Sequence, residues 1–305
     1  HTLALYCSAE AHYSVTRAAE ILGIGGNNVR SIDIDSQRRL KPDALARAIE
    51  IDRAAGVIPM AVVATAGTTL TGAVDPIGEI ADVCGDIWLH VDGAYGLPAA
   101  ATHSSGSLFA GLDRADSMSI DAHKWLFVPK ACSALLVKKP ELLARAFSHN
   151  EAYIPHEHGD TNAVDVTLEY SRPLRALKLW LAFKVHGAQG MRDAVEANLA
   201  QAKLLYTLAH TAPDFDVLES IPQLSTVPLR HIPQNLSTAG NSRINAHNAD
   251  LQLALVADGR IYISPAQIDG NTWLRPCFTN FRTTNADVQV AFDVIREVSN
   301  ALASA

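Results

Sequence analysis

Ile87-Trp88-Leu89-His90-Val91-Asp92-Gly93-Ala94-Tyr95 is an apolar run that delivers an aspartate into a Gly-Ala turn. One βα step further on, Ser117-Met118-Ser119-Ile120-Asp121-Ala122-His123-Lys124-Trp125 repeats the plan, a strand ending in polar groups. A carboxylate at the carboxyl end of a strand opens into the crevice where α/β sheets bind ligands. Outward from these two stretches, short apolar runs alternate with helical patterns from the start to about residue 146, the signature of βα units around a largely parallel sheet. Strands are expected at 3–8, 29–34, 58–65, 87–92, 117–121 and 131–137, with helices at 13–22, 42–53 and 76–84. Pro42 and Pro76 suit the first turn of a helix, where a missing N–H costs nothing. The last two strands are joined by too few residues for a helical crossover and are expected to pair antiparallel, or else to be separated by a tight excursion.

Residues 148–170, with Ile154-Pro155-His156-Glu157-His158, read as a long polar loop of the kind that carries function. A helix is expected from Arg172-Pro173 and another after Gly190. Beyond 212 the pattern changes to strands at 214–218, 224–231, 260–266 and 272–279, mixed with helices at 242–257 and 285–303, the last opened by Thr284 and Asp287 in capping-box spacing. The chain is expected to divide into a large α/β unit, 1–185, and a smaller α+β unit, 186–305.

Composition narrows the function. Apolar residues make up 48% of the 305 and charged ones 19%, and the formal charge of −7 has no basic block set against it. A nucleic-acid or anionic-membrane footprint is therefore not expected, and a small molecule is the expected partner. Cys7, Cys84, Cys132 and Cys277 form no C-x-x-C pair, so neither zinc cage nor disulfide framework is signalled. No apolar run of about 18 residues and no charged n-region of a signal peptide occurs, which points to the cytoplasm. Gly23-Ile24-Gly25-Gly26 lacks the spacing of a dinucleotide loop, and His156 and His158 lack a third metal partner.

Taken singly, Asp92 is most often a turn residue and Lys124 an ion-paired strand end. Together they match what pyridoxal 5′-phosphate (PLP) needs: a lysine able to form an imine, and an acid that keeps the pyridine nitrogen protonated.

The sequence resembles the group II PLP-dependent amino acid decarboxylases over essentially its whole length. The motifs are Ala11-His12-Tyr13-Ser14, Ala64-Thr65-Ala66-Gly67-Thr68-Thr69, His90-Val91-Asp92-Gly93-Ala94-Tyr95, His123-Lys124-Trp125 and Cys132-Ser133-Ala134. The resemblance implies PLP fold type I, the aspartate-aminotransferase-like arrangement, and a homodimer with shared active sites. It implies that Lys124 holds the cofactor as a Schiff base, that Asp92 pairs with the ring nitrogen, that His12 stacks on the ring and Ala94 packs against it, that Thr69 lies beside it and His123 near its phosphate. Tyr153 falls where the family has a loop tyrosine that protonates the substrate carbon, and Arg275 where relatives have an arginine that meets the substrate carboxylate. The implied reaction is release of carbon dioxide from an L-amino acid, an aromatic one first, with glutamate, cysteine sulfinate or diaminobutyrate as alternatives.

Two departures stand out. Relatives commonly have Asn-Pro where this chain has Asp121-Ala122, and an apolar residue is usual where it has Lys130. The Gly/Ser-rich phosphate-binding segment and the dimerisation segment expected before His12 are not in the sequence, so its N-terminal part is expected to be missing. An aminotransferase or carbon–sulfur lyase is the rival within PLP chemistry, and a non-catalytic dimer partner without a complete cofactor site the rival outside it.

Overall fold

A computed structural model of the protein describes residues 1–149 and 162–304. Its first sheet has the strands β1 (Leu3–Ser8), β2 (Val29–Ile32), β3 (Ile58–Thr65), β4 (Trp88–Asp92), β5 (Ser117–Asp121) and β6 (Ser133–Val137), in the order β2-β1-β3-β4-β5-β6. All neighbours are parallel except β5 and β6, which pair antiparallel as the short connection requires. The helices α1 (Ser14–Ile21), α2 (Pro42–Ala54) and α3 (Ile77–Cys84) form the connections. Pro42 stands in the first turn of α2, whereas Pro76 precedes α3 as its cap residue.

The sheet has a closed face and an open one because side chains alternate along a strand. Ala4, Tyr6, Val62, Ala64, Leu89 and Val91 point to one side and are fully buried, or nearly so, with Leu45, Ile49, Ile77 and Ile80 of the helices. After β1 the chain steps to β2 on one side and then to β3 on the other. The direction of winding thus reverses between β1 and β3, which opens a crevice at their carboxyl ends.

A helical turn, α4 (Ala122–Trp125), and α5 (Glu141–Phe147) flank β6, and α6 (Ala176–Thr211) follows. The expected helices from 172 and after 190 are one helical run, broken only at Gly187, which has φ 69° and ψ 169°. α6 passes from the first core, through Val195 and Leu199, into a second that begins at Ala202.

The second sheet, order β7-β8-β10-β9, is antiparallel: β7 (Phe215–Val217), β8 (Leu229–His231), β9 (Ser264–Ile268) and β10 (Asn271–Arg275). α7 (Asn241–Asp258) and α8 (Asn285–Ser304) pack with it around Leu229, Leu251, Leu255, Leu274 and Phe292. The strand expected over 224–231 is shorter. Pro228 has no N–H to give the ladder, and the Ser225 N–H is spent on the Tyr95 hydroxyl. β10 ends before Pro276 for the same reason, and β9 lies later than expected. The reciprocal bonds of Thr284 and Asp287, 2.7 and 3.3 Å, close the anticipated capping box on α8. Among the described residues no helix is long and apolar enough to cross a membrane.

One polar cluster locks α8 to the second sheet. His231, wholly buried, places Nδ1 2.6 Å from Ser299 Oγ, which lies 2.9 Å from His247 Nε2. On its other side His231 Nε2 is 3.4 Å from Asp214, itself held by Arg296 at 2.7 and 2.8 Å. Burial pushes the His231 imidazole down to about 4, against the pull of the Asp214 carboxylate. A histidine that stays neutral when folded but has an ordinary value near 6.5 when unfolded contributes stability that is whole above about pH 6.5 and declines as pH falls toward 4. Urea unfolding at pH 7 and pH 5 is expected to differ by about 2 kcal/mol from this residue. That part of the pH dependence should disappear in His231→Asn.

Candidate active site

On the open face of the first sheet the alternate residues line a cavity of about 460 Å³. Its floor is Leu5 of β1, Val63 and Thr65 of β3, His90 and Asp92 of β4, and Ser119 and Asp121 of β5. These are registered neighbours: Val63 lies opposite His90, Thr65 opposite Asp92, and Asp92 opposite Ser119. His12, Thr69, Ala94 and Lys124 complete the walls. Of the residues singled out in the sequence, the cavity therefore gathers Lys124, Asp92, His12, Thr69 and Ala94.

Asp92 is held at its strand end from several directions. Its Oδ1 accepts the Ala94 N–H at 3.1 Å and faces the Ser119 hydroxyl at 3.4 Å, while its backbone carbonyl accepts the Ala66 N–H at 2.8 Å. Lys124 sits on α4, the helical turn that follows β5. Its neighbour Trp125 is wholly buried, donates to Asn198 at 3.0 Å and stacks on Tyr95 with 5.1 Å between ring centroids. With Trp125 driven inward, the turn presents Lys124 to the cavity, where its Nζ lies 3.0 Å from Asp121. Burial raises the Asp121 carboxyl, but the Ser133 and Lys124 hydrogen bonds and the charges of Lys124 and His123 outweigh it and hold the group below the usual carboxylate range.

His12 is half-buried, with Nδ1 2.8 Å from Ser14 Oγ, at the start of α1. The same loop carries Glu10, which is buried and ion-paired to Arg38. Arg38 reaches on to Asp269 in the β9–β10 turn at 2.7 Å, and Thr71 also donates to Glu10, at 3.3 Å. Tyr95, which also lines the cavity, is fixed by Ser225 and Thr226, 2.6 and 3.2 Å from its hydroxyl, and burial pushes that hydroxyl well above its usual range. Thr65 Oγ1 is buried with no hydrogen-bond partner among the described residues.

Two candidates lie outside the lining. The His123 ring turns to the main chain of Cys132, with Nδ1 2.9 Å from its carbonyl oxygen and 3.2 Å from its nitrogen. Arg275 donates to the Thr69 carbonyl at 3.1 Å, so it buttresses a wall from the second sheet. Tyr153 and the histidines 156 and 158 lie outside the described residues. His90, Ser119 and Asp121 carried no assigned role in the sequence reading. Counting back two from Asp92 and Asp121 would have put His90 and Ser119 on the same face. Burial pushes the His90 imidazole below its ordinary value despite the nearby Asp92.

The two wall turns touch. Gly67 has φ 106°, and a Cβ there would stand 2.9 Å from Leu224 Cδ1 and 3.0 Å from Gly96 Cα. Gly67→Ala is expected to cost about 1–3 kcal/mol through left-handed backbone and crowding, read as a lowered unfolding midpoint.

Residues 1–230 match the family model described as the pyridoxal-dependent decarboxylase conserved domain. The chain is similar to an aromatic-L-amino-acid decarboxylase of Bacillus atrophaeus, 35% identical over 93% of this chain and 60% of that protein. It is similar to the acidic amino acid decarboxylase GADL1 of Bos taurus, 35% identical over 77% of this chain and 46% of that protein. The crystal structure of Oryza sativa TDC with PLP and tryptamine superposes with a TM-score of 0.92 at 27% identity, covering 99% of this chain and 63% of that one. The chain thus spans about 60% of the length of the first-named relative.

Proposed function

The chain belongs to the pyridoxal-dependent decarboxylase family, and from that premise we propose that its protein releases carbon dioxide from an L-amino acid, with PLP held by Lys124 and Asp92. The observation that carries this is the meeting of an amine and a carboxylate, from the ends of two neighbouring parallel strands, in one cavity.

The residues fit the cofactor. The cavity is of ligand size, its floor carries the orphaned Thr65 hydroxyl, and Ala94 leaves room beside Asp92 where a larger side chain would intrude. When bound, PLP supplies an electron sink for the pair left behind as carbon dioxide departs. Asp92, its Oδ1 fixed by the Ala94 N–H, would hold a proton at the ring nitrogen and so keep that sink effective. Lys124 Nζ would hold the cofactor covalently and give way to the substrate amine. His12 and Thr69, which line the same cavity, would help to hold the ring. Tyr153, which lies outside the described residues, would return a proton to the substrate carbon on the family motif alone. His123 at the phosphate and Arg275 at the substrate carboxylate rest on the family motif alone.

An aromatic substrate is the first reading, supported by likeness to the Bacillus decarboxylase, and an acidic one the second, supported by likeness to the Bos taurus protein at the same identity. A cytoplasmic homodimer is part of the proposal. Exposed apolar residues Leu177, Trp180, Leu181 and Val185 on α6, and Leu135 and Leu136 on β6, support an assembly face.

Release of carbon dioxide by the full-length protein across a panel of aromatic, acidic and diamino acids tests the reaction and ranks the substrates. Lys124→Ala should remove the cofactor absorbance band altogether. Asp92→Asn should keep the band and lower kcat by about 10²–10⁴-fold, the scale of a lost proton-holding group. No band in the wild-type protein would favour the non-catalytic partner instead. Tyr153→Phe is expected to divert turnover toward aldehyde and ammonia in the presence of oxygen, followed as oxygen uptake. Unchanged amine yield without aldehyde would remove Tyr153 from the mechanism.

A further inference from the structure

Asp121 is the second carboxylate of the cavity, and it stands where, by the family resemblance, relatives commonly carry a neutral asparagine. Its two oxygens are divided: Oδ1 accepts the Ser133 hydroxyl from β6, and Oδ2 faces Lys124 Nζ at 3.0 Å. Its backbone N–H is bonded to the Ala94 carbonyl at 3.1 Å, which ties it to the turn after Asp92. The carboxylate therefore cannot swing away from the lysine without breaking its bond to Ser133 of β6. An asparagine would preserve the shape and a hydrogen bond, so the property this chain adds is charge.

We propose that Asp121 is a positioning residue that keeps a positive charge on the Lys124 nitrogen, both before the cofactor is attached and after. The proposal rests on Lys124 being the point of attachment. Attachment joins Nζ to the cofactor's aldehyde carbon as C=N with loss of water, and substrate amine later replaces Nζ at that carbon. A proton retained on the C=N nitrogen draws electrons from the carbon and speeds that replacement. A carboxylate 3.0 Å away favours the protonated form. Asp121 is itself ionised below the usual carboxylate range, after its burial is outweighed by Ser133, Lys124 and His123. The other titratable groups facing the pair are Asp92 and His90 on β4, His12 after β1, Tyr95 behind β4, and His123 and Cys132 beside α4. His123 Nε2, 3.9 Å from the same Asp121 oxygen, is the other basic group at the carboxylate, while burial lowers the His90 imidazole.

The test compares full-length wild type, Asp121→Asn and Asp121→Glu, with Asp121→Ser as a second neutral variant should the asparagine form fail to fold. The absorbance of the cofactor-loaded protein is titrated over roughly pH 6–10, and the midpoint in the neutral variant is expected to fall by about one unit or more, a tenfold change in proton affinity. Asp121→Glu should restore it. In cofactor-free protein, acetylation of Lys124 at pH 8, measured by mass spectrometry against a surface lysine, should be several-fold faster in the neutral variant. An unmoved midpoint together with unmoved acetylation overturns the proposal. Borohydride reduction and peptide mapping of the loaded wild type separates the two levels. A label on Lys124 sustains the premise, so a null result then falls on Asp121 alone; a label on another lysine overturns the attachment reading and this proposal with it.

Discussion

The constraint on which the site depends is the alternation of side chains along β1, β3, β4 and β5. A parallel strand between layers must bury one set of residues, and here Tyr6, Val62, Ala64, Leu89 and Val91 are the buried set. Moving any of these strands by one residue would send its apolar set into the cavity and its polar set into the core, so register is specified by burial. The core that stabilises the sheet is thus also what aims Thr65, His90, Asp92, Ser119 and Asp121 at one space. Function and stability share the same strands but use opposite faces of them.

Aiming is completed by contacts from further away. Trp125 is buried and bonded to Asn198 of α6, and this anchors the helical turn that carries Lys124. The turns after β3 and β4 press together at Gly67 and Gly96, where no side chain fits. The second sheet enters the same framework at three places: Arg275 on the Thr69 carbonyl, Asp269 on Arg38, and Ser225 with Thr226 on the Tyr95 hydroxyl. Each contact ends on a loop that borders the cavity. The second sheet acts on the site through its walls, while the chemistry-bearing side chains come from the first.

Most of the first sheet was legible because its strands are continuous apolar runs ending in polar residues, and chain length favoured antiparallel pairing of β5 and β6, which the structure has with α4 in the connection between them. Legibility was poorer where two interactions competed. The segment 224–231 has the composition of a strand, but Pro228 gives no N–H, so the pairing is interrupted: Leu229–His231 forms one short strand and Thr226 bridges Cys277 separately. The helix break fell at Gly187 instead of Gly190; nothing local distinguishes those two glycines, and only Gly187 takes a left-handed φ. His123 enters the site through the family motif; on the helical turn its Nδ1 lies against the Cys132 main chain and its Nε2 stands 3.9 Å from Asp121 of the cavity.

By itself the sequence determined the layer type, the strand ends that carry Asp92 and Lys124, and the motifs of the family, because each depends on residue types at short spacing. Tertiary structure decided which strand ends are neighbours, that one cavity gathers Asp92, Lys124, His12, Thr69 and Ala94 while Arg275 and His123 stay outside it, and that Asp121 spends its charge on Lys124. Those are relations between segments distant along the chain, set by strand order and by the direction in which a buried neighbour such as Trp125 turns the backbone. Local pattern holds no record of either.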